Sequence, residues 1–302
     1  MQSHFDVIII GGSYSGLSAA MALGRSLRNV LIIDSGTPCN RFTPHSHNFI
    51  THDGATPYQI AQKAKEQVLA YETVTFTEDL ALSAERVADG FRLTTQKQNT
   101  YTATKILLAT GVKDELPAIN GLKDCWGISA IHCPYCHGYE YKHKATGILA
   151  NGDAAFHYAL LVHNLTQKLT VFTNGPKDFT PEQLEKLQKN NISVQESPVV
   201  KINHQNGYMG SIVLQDANEQ ALSALYVRPK SIQQTDIPQR LGCGINEQGY
   251  IITDFMQKTN IEGVYACGDC CTPMRAVSTA VAQGTMAGAA INMELCSDVF
   301  YA

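Results

Sequence analysis

The first 34 residues constrain the fold more than any other part of the chain. Phe5 to Ile10 is a short apolar, β-branched run. It passes directly into Gly11-Gly12-Ser13-Tyr14-Ser15-Gly16 and then into Leu17 to Leu23, small and apolar at helical spacing. A second β run, Asn29 to Ile33, ends on Asp34, 18 residues beyond Gly16. Strand, glycine turn, helix and an acid at the tip of the second strand together predict a βαβ unit that binds a dinucleotide. Gly11 permits the tight turn and Gly16 the close packing of helix on strand. The helix N-terminus would face a pyrophosphate, and Asp34 would accept hydrogen bonds from an adenosine ribose. Ser13 stands where the pattern carries its middle glycine. Its hydroxyl can still donate to phosphate, so a slightly displaced dinucleotide is expected.

At 302 residues the chain suggests two domains or one large one. Hydrophobic residues at 44% and charged residues at 17% argue against disorder, and no run of 18 uninterrupted apolar residues could cross a membrane. A net charge of −4 gives no basic field to gather a polyanion, so nucleic acid is not an expected partner. Met1 to Asp6 carries no basic n-region and no small-residue cleavage site, from which a cytoplasmic location is expected. The nine cysteines are odd in number and scattered, which argues for mostly reduced thiols rather than a disulfide framework.

Residues 72–101, with Val74 to Phe76 and Gly90 to Thr95 as β-type segments, read as a small antiparallel meander. Lys105 to Gly111 is a buried strand breaking at glycine. Ala145 to Ala150 opens a second strand, turn and helix, with the helix expected over Phe156 to Leu165 and the next strand over Lys168 to Phe172. A charged helix over Phe179 to Gln188 is opened by Thr180-Pro181. Near the end, a strand delivers Gly268-Asp269 to a small-residue helix from about Arg275 to Met293, a geometry for polar contact to a phosphate or sugar chain. The expected fold class is α/β with two Rossmann-like, doubly wound, three-layer domains. A first domain boundary is expected after the break at Gly111, with Pro117 soon following.

The order of these parts, from the first glycine turn through Ala109-Thr110-Gly111, Cys133-Pro134-Tyr135-Cys136, the second βαβ and Gly268-Asp269, resembles the low-molecular-weight thioredoxin reductase family over nearly the whole chain. The resemblance implies a discontinuous FAD-binding domain from the outer halves, residues 1–113 and 244–302, an inserted NAD(P)-binding-like domain over 114–243 with a redox disulfide, and a homodimer. Carried over, Gly11, Gly12, Ser13, Gly16 and Asp34 would hold the FAD pyrophosphate and ribose. Asn48, Thr110 and Gly111 would lie along the flavin, and Asp269 would bind the ribityl chain or pyrophosphate.

Two departures refine this. The family's inserted domain carries a full glycine fingerprint and a His-Arg-Arg cluster for the NADPH 2′-phosphate. Here Ala150 occupies the first fingerprint position, and the strand ends Val171-Phe172-Thr173-Asn174-Gly175 without an arginine. The charge-assisted donors a 2′-phosphate needs are missing, and no acid is placed to hold a ribose of NADH. NADPH bound in the family's manner is therefore not expected, and the insert reads as scaffold and dimer surface. At the pair, the family's aspartate is replaced in Cys136-His137-Gly138-Tyr139-Glu140. That run is similar to the fungal dithiol oxidases that close disulfides in epidithiodiketopiperazine toxins, which also lack a usable NADPH site.

Two cysteines two residues apart at a helix start suit cycling between dithiol and disulfide. By analogy with the family, Cys136 would lie nearest the flavin and Cys133 would face the substrate sulfur. An imidazole titrates near neutral pH, so His137 would take the proton of an incoming thiol, with Glu140 orienting it. A c-type haem attachment, a zinc site including His143, and an inert buried pair are competing readings; no metal is expected. Cys270 and Cys271 read as small fillers, with a relay to Cys133 left open. His45 and His47 read as polar loop residues. The expected function is an FAD-dependent thiol–disulfide oxidoreductase of dithiol oxidase type, acting on a small dithiol or disulfide or a thioredoxin-like protein. An NAD(P)H-dependent thioredoxin-disulfide reductase and a flavin redox sensor without turnover are the alternatives.

Overall fold

The structure, a computed structural model, describes residues 4–301. In chain order the elements begin β1 (His4–Ile10), α1 (Tyr14–Arg25), β2 (Val30–Asp34), α2 (Pro57–Leu69), β3 (Val74–Glu78), β4 (Ala81–Val87), β5 (Gly90–Thr95) and β6 (Thr100–Leu108). The middle of the chain holds β7 (Val112–Glu115), α3 (Leu122–Cys125), β8 (Ala130–Ile131), α4 (Pro134–His137), β9 (Thr146–Leu149), α5 (Gly152–Val162), β10 (Leu169–Phe172) and α6 (Pro181–Lys189). There follow β11 (Ser193–Gln195), β12 (Val199–Gln205), β13 (Tyr208–Leu214), β14 (Glu219–Ala221), β15 (Ala224–Val227), β16 (Lys230–Gln233), α7 (Ile237–Arg240), β17 (Val264–Ala266) and α8 (Val277–Phe300).

These elements form two compact units. The first comprises the described residues up to Arg41 with Pro57–Lys113 and those from Ser231 onward; the second comprises Phe42–Thr56 and Asp114–Lys230. In the first, the sheet runs β3-β2-β1-β6-β5-β4, with β17 also on β6. Strands β1, β2, β3, β6 and β17 are parallel, and Ile10 lies opposite both Ile33 and Leu108, as Ala266 does Leu108. Their C-terminal ends therefore converge on one edge, where α1 starts. A parallel sheet covered on both faces needs continuous apolar strands. Ile8, Ile10, Leu31 and Ile33 enter one core with Phe91 and Leu93, while Val7, Ile9, Val30 and Ile32 enter another with Leu17 and Leu23 of α1 and Ile291 of α8. Burying each such side chain stabilises by about 1.5–3 kcal/mol.

Only part of the expected meander is antiparallel. Strands β4, β5 and β6 are, but Val74 to Glu78 lies parallel on β2, with Phe76 opposite Ile32. Val74 is buried against the α1 side of the sheet and Phe76 packs there too, so the segment completes the doubly wound edge.

The second unit repeats the plan on a smaller scale. Its sheet β11-β10-β9-β15-β8 is parallel throughout, and β12-β13-β14 form a separate antiparallel layer. Helix α6 begins with a full capping box between Thr180 and Gln183. The unit boundaries depart from the expected segmentation in two places: 231–243 packs with the first unit, and 42–56 with the insert. The latter has a local cause. A side chain on Gly127 would strike Phe42, so the two pack backbone to side chain, and His47 faces Glu140.

Candidate functional site

The first glycine turn sits at the C-terminal edge of the larger sheet. A Cβ on Gly16 would lie 1.9 Å from the Gly11 carbonyl oxygen, and one on Gly11, at φ 108°, 2.2 Å from that of Ala109. Only glycine permits the strand-to-helix approach at either position. Ser13 caps α1 without a side-chain hydrogen bond, so the backbone donors of the first turn are left for a ligand such as a pyrophosphate. Asp34 accepts from the Gly12 and Gly36 amides, the latter at 2.6 Å, which holds its carboxylate against the turn.

The neighbouring strand ends complete this edge. The Thr110 hydroxyl is buried beside the Cys270 thiol without a well-formed hydrogen bond, and Gly111, at φ 66°, has no atom within 4 Å of where a Cβ would point. A polar group short of a partner beside open space fits a bound dinucleotide along this edge. Gly268, at φ 82°, packs so closely on Ser15 that a Cβ would lie 2.6 Å from its hydroxyl, bringing Asp269 to the start of α1. The sequence reading missed Arg275. Its buried guanidinium lies 3.6 Å from Asp269 Oδ2 and donates to Cys39 Sγ at 2.7 Å and Ser231 Oγ at 3.3 Å. The last helix begins at Val277, two residues beyond the Arg275 start that the sequence pattern suggests, which leaves Arg275 in the preceding turn. Cys267 and Cys270 are fully buried; burial pushes the Cys267 thiol up, whereas the Cys271 thiol 3.6 Å away pulls that of Cys270 down.

The second unit carries the cysteine pair. Strand β8, paired to β15, delivers Cys133 as the cap of α4, and Pro134 pre-sets its first helical residue. Cys133 Sγ and Cys136 Sγ lie 2.7 Å apart, close enough for the pair to cycle between dithiol and disulfide. Tyr226 is buried behind the pair, its hydroxyl pushed up first by burial and then by Cys133. Tyr158 donates to the His132 carbonyl at 2.8 Å.

Burial pushes the His137 imidazole down to about 4; the Glu140 charge opposes this and His47 adds to it. The ring is therefore neutral at pH 7, and the burial that keeps it so also makes it a weak proton acceptor. Glu140 does not pair with it as expected. Its Oε1 lies 3.6 Å from His47 Nε2, and His47 Nδ1 lies 3.6 Å from Asp53 Oδ1. Asn48 stands on the same segment, at φ 60°, its amide donating to Asp53 Oδ1 at 2.7 Å. Asn48 thus belongs to the second unit, whereas Gly11, Gly12, Ser13, Gly16, Asp34, Thr110, Gly111 and Asp269 share the first. No group of three or more His, Cys, Asp or Glu among the described residues could hold a metal ion.

The second turn, between β9 and α5, has the topology of the first and different contents. Asn151 caps α5: its Oδ1 accepts from Gly152 N and Asp178 N, both at 2.9 Å, and its Nδ2 donates to the Pro176 carbonyl at 2.8 Å. These bonds draw residues 176–178 over the turn and use the helix-end donor that a pyrophosphate would need. Asp178 adds a carboxylate there, 3.6 Å from where a Gly152 Cβ would lie. Lys177, the cation after β10, is engaged by Glu196 at 2.6 Å.

A family model described as pyridine nucleotide-disulphide oxidoreductase matches residues 5–284. Among curated proteins, the chain is 30% identical to "Thioredoxin reductase sirT" of Leptosphaeria maculans, over 97% of this chain and 94% of that one. It is also 30% identical to "Thioredoxin reductase aclD" of Aspergillus oryzae, over 97% of each. Among solved structures, an oxidoreductase from Agrobacterium tumefaciens superposes with a TM-score of 0.91 at 38% identity, over 98% of this chain and 99% of that one.

Proposed function

This chain belongs to the pyridine nucleotide-disulphide oxidoreductase family, among its thioredoxin reductase-like members, and from that premise we propose that it oxidises a dithiol through Cys133 and Cys136 without drawing electrons from NADPH. The observation that carries this reading is the closed second turn, where Asn151, Asp178 and the Lys177–Glu196 pair stand in place of phosphate-binding donors. A 2′-phosphate brought there would meet the Asp178 carboxylate, and the run after β10 supplies it no arginine, which is unfavourable without charge-assisted donors.

The family implies a bound FAD, and when bound it supplies a two-electron acceptor. Gly11, Gly12, Ser13 and Gly16 would hold its pyrophosphate, Asp34 its ribose, and Asp269 its sugar chain. The remaining chemistry belongs to this chain's side chains. With the pair oxidised, one substrate thiol loses its proton to solvent, and its sulfur, beside the neutral imidazole of His137, attacks Cys133. The Cys133–Cys136 bond breaks and Cys136 leaves as thiolate. The second substrate sulfur then displaces Cys133, so the substrate leaves as a disulfide and the pair carries the two electrons. A small cyclic dithiol or a thioredoxin-like protein both satisfy this chemistry.

The test is an anaerobic titration of the flavin-loaded protein with NADPH, then NADH, then dithiothreitol. Flavin that stays oxidised with both nicotinamides and is bleached by the dithiol supports the proposal. Rapid stoichiometric bleaching by NADPH overturns it in favour of a thioredoxin-type reductase.

A further inference from the structure

The turn that follows β17 sets two thiols side by side that the dithiol chemistry above does not use. Cys270 is fully buried, Cys271 is partly exposed at the edge of the same core, and their sulfurs lie 3.6 Å apart. The turn is fixed from both ends. Cys271 N donates to the Gly268 carbonyl at 2.9 Å, and the Cys270 carbonyl accepts from Ile251 N at 2.9 Å and Gln233 Nε2 at 3.0 Å. Adjacent Cα atoms stand about 3.8 Å apart, closer than the about 4.4 Å at which disulfides begin, so the two sulfurs are kept as a dithiol. Cys271 pulls the Cys270 thiol down against the burial that opposes it, which makes Cys270 the readier of the two to lose its proton. A thiolate is the form of cysteine that binds soft ions.

We propose that Cys270 and Cys271 form a chelating site for trivalent arsenic, distinct from the Cys133 and Cys136 pair. The spacing of the donors selects this chemistry. On the scale of a zinc–sulfur bond, about 2.3 Å, sulfurs 3.6 Å apart subtend about 100° at a shared atom, whereas a linear two-coordinate ion would need them about 4.6 Å apart. A tetrahedral ion such as zinc would accept the angle but needs two further ligands. Cys267 faces the opposite core with Leu17 and Ile291, Cys243 Sγ lies 4.0 Å from Thr259 Oγ1, and no group of three or more His, Cys, Asp or Glu among the described residues could hold a metal ion. Trivalent arsenic is thiophilic and pyramidal, with bond angles near a right angle, and it takes only two sulfurs when its third position carries a carbon substituent. With an arsine oxide, both S–H bonds and the arsenic–oxygen double bond break and two arsenic–sulfur bonds form. The oxygen leaves as water with both protons, and arsenic stays trivalent, so no electrons move. Cys271, the exposed sulfur, captures the arsenic and Cys270 closes the chelate.

The test uses the full-length chain carrying Cys133→Ser and Cys136→Ser, so that the redox pair cannot chelate. Phenylarsine oxide is the probe, added with an excess of glutathione, and the adduct is read by intact mass. A monothiol strips arsenic from a single cysteine but leaves a two-sulfur chelate in place, because the second sulfur is held at high effective concentration. One phenylarsine should be retained per chain, and dithiothreitol should release it. Adding Cys271→Ser or Cys270→Ser should abolish retention. Cys271 is the partly exposed position, so its variant decides the matter even where the buried Cys270→Ser fails to fold. Cys296→Ser, at an exposed cysteine on α8, should leave the adduct intact. No retained arsenical, an adduct that survives Cys271→Ser, or one lost with Cys296→Ser overturns the proposal. None of these outcomes depends on whether NADPH or a dithiol reduces the flavin.

Discussion

The two βαβ turns of this chain share a topology and differ in who satisfies the helix that follows. At α1 the cap Ser13 makes no side-chain bond and the space ahead of Gly111 is open. At α5 the cap Asn151 bonds Gly152 and Asp178, and the turn is closed by the protein's own atoms. A repeated fold thus does not imply a repeated site. A helix end binds a ligand only when its donors have no partner within the chain. The first turn is also braced from outside its own βαβ unit: α8 lies along α1, where side chains on Gly284 and Gly288 would strike the Ser15 and Ala19 carbonyls. The second is held at its start by Gln183 of α6, which donates to Asp153 at 2.8 Å.

The sharpest way to break this comparison is at the glycines. Gly16→Ala places a methyl 1.9 Å from the Gly11 carbonyl. Overpacking of this kind costs about 3 kcal/mol or more, and the purified protein should emerge without flavin, read by absorbance. The matching change at the second turn, Gly152→Ala, meets Asp178 O at 3.1 Å and a φ of 55°. It should cost only about 1 kcal/mol and leave flavin content unchanged.

A smaller effect tests the brace on α1. Glu294 of α8 accepts from Lys105 Nζ at 2.6 Å and Tyr265 Oη at 2.7 Å and pairs with Lys258. Although burial opposes ionisation, these donors push its carboxyl down to about 2. Glu294→Gln strands the buried Lys105 with Asp298 as its remaining partner and should cost about 2 kcal/mol in urea unfolding, short of the about 3–5 kcal/mol of a fully buried pair. A carboxylate with a depressed folded pKa stabilises above its unfolded value. The Glu294 contribution should therefore be complete above about pH 4.5 and disappear between there and about pH 2, and that part of the acid dependence should vanish in the variant.

The smallest effect sharpens the contrast from the other side. Asn151→Ala removes the α5 cap, costing about 1 kcal/mol in thermal unfolding. It should not create NADPH-driven flavin reduction, since Asp178 remains and no arginine is supplied. If the single change does restore reduction by NADPH, occlusion by Asn151 alone had silenced the second turn.

Much of this was legible in one dimension because it rests on local chemistry. A glycine turn between an apolar strand and a small-residue helix, an acid at the next strand's tip, and two cysteines at a helix start are short-range patterns, and the missing arginines after β10 are an equally local absence. What misled was also local. Val74 to Glu78 alternates like a meander strand, yet its place on β2 depends on where Val74 and Phe76 find their core. Glu140 stands three residues after His137, but its closest imidazole comes from 93 residues upstream in His47.

The amino-acid sequence by itself therefore determined the two Rossmann-like units, the glycine-turn edge of the first and the placing of the cysteine pair at a helix start, since backbone preferences and apolar periodicity act over a few residues. Tertiary structure decided which side chains meet. It brought Arg275 to Asp269 and Cys39, joined His47 to the cysteine unit, and turned a degraded fingerprint into a turn closed by Asn151 and Asp178. Such pairings depend on distance and burial between segments far apart along the chain, and those are properties that only packing creates.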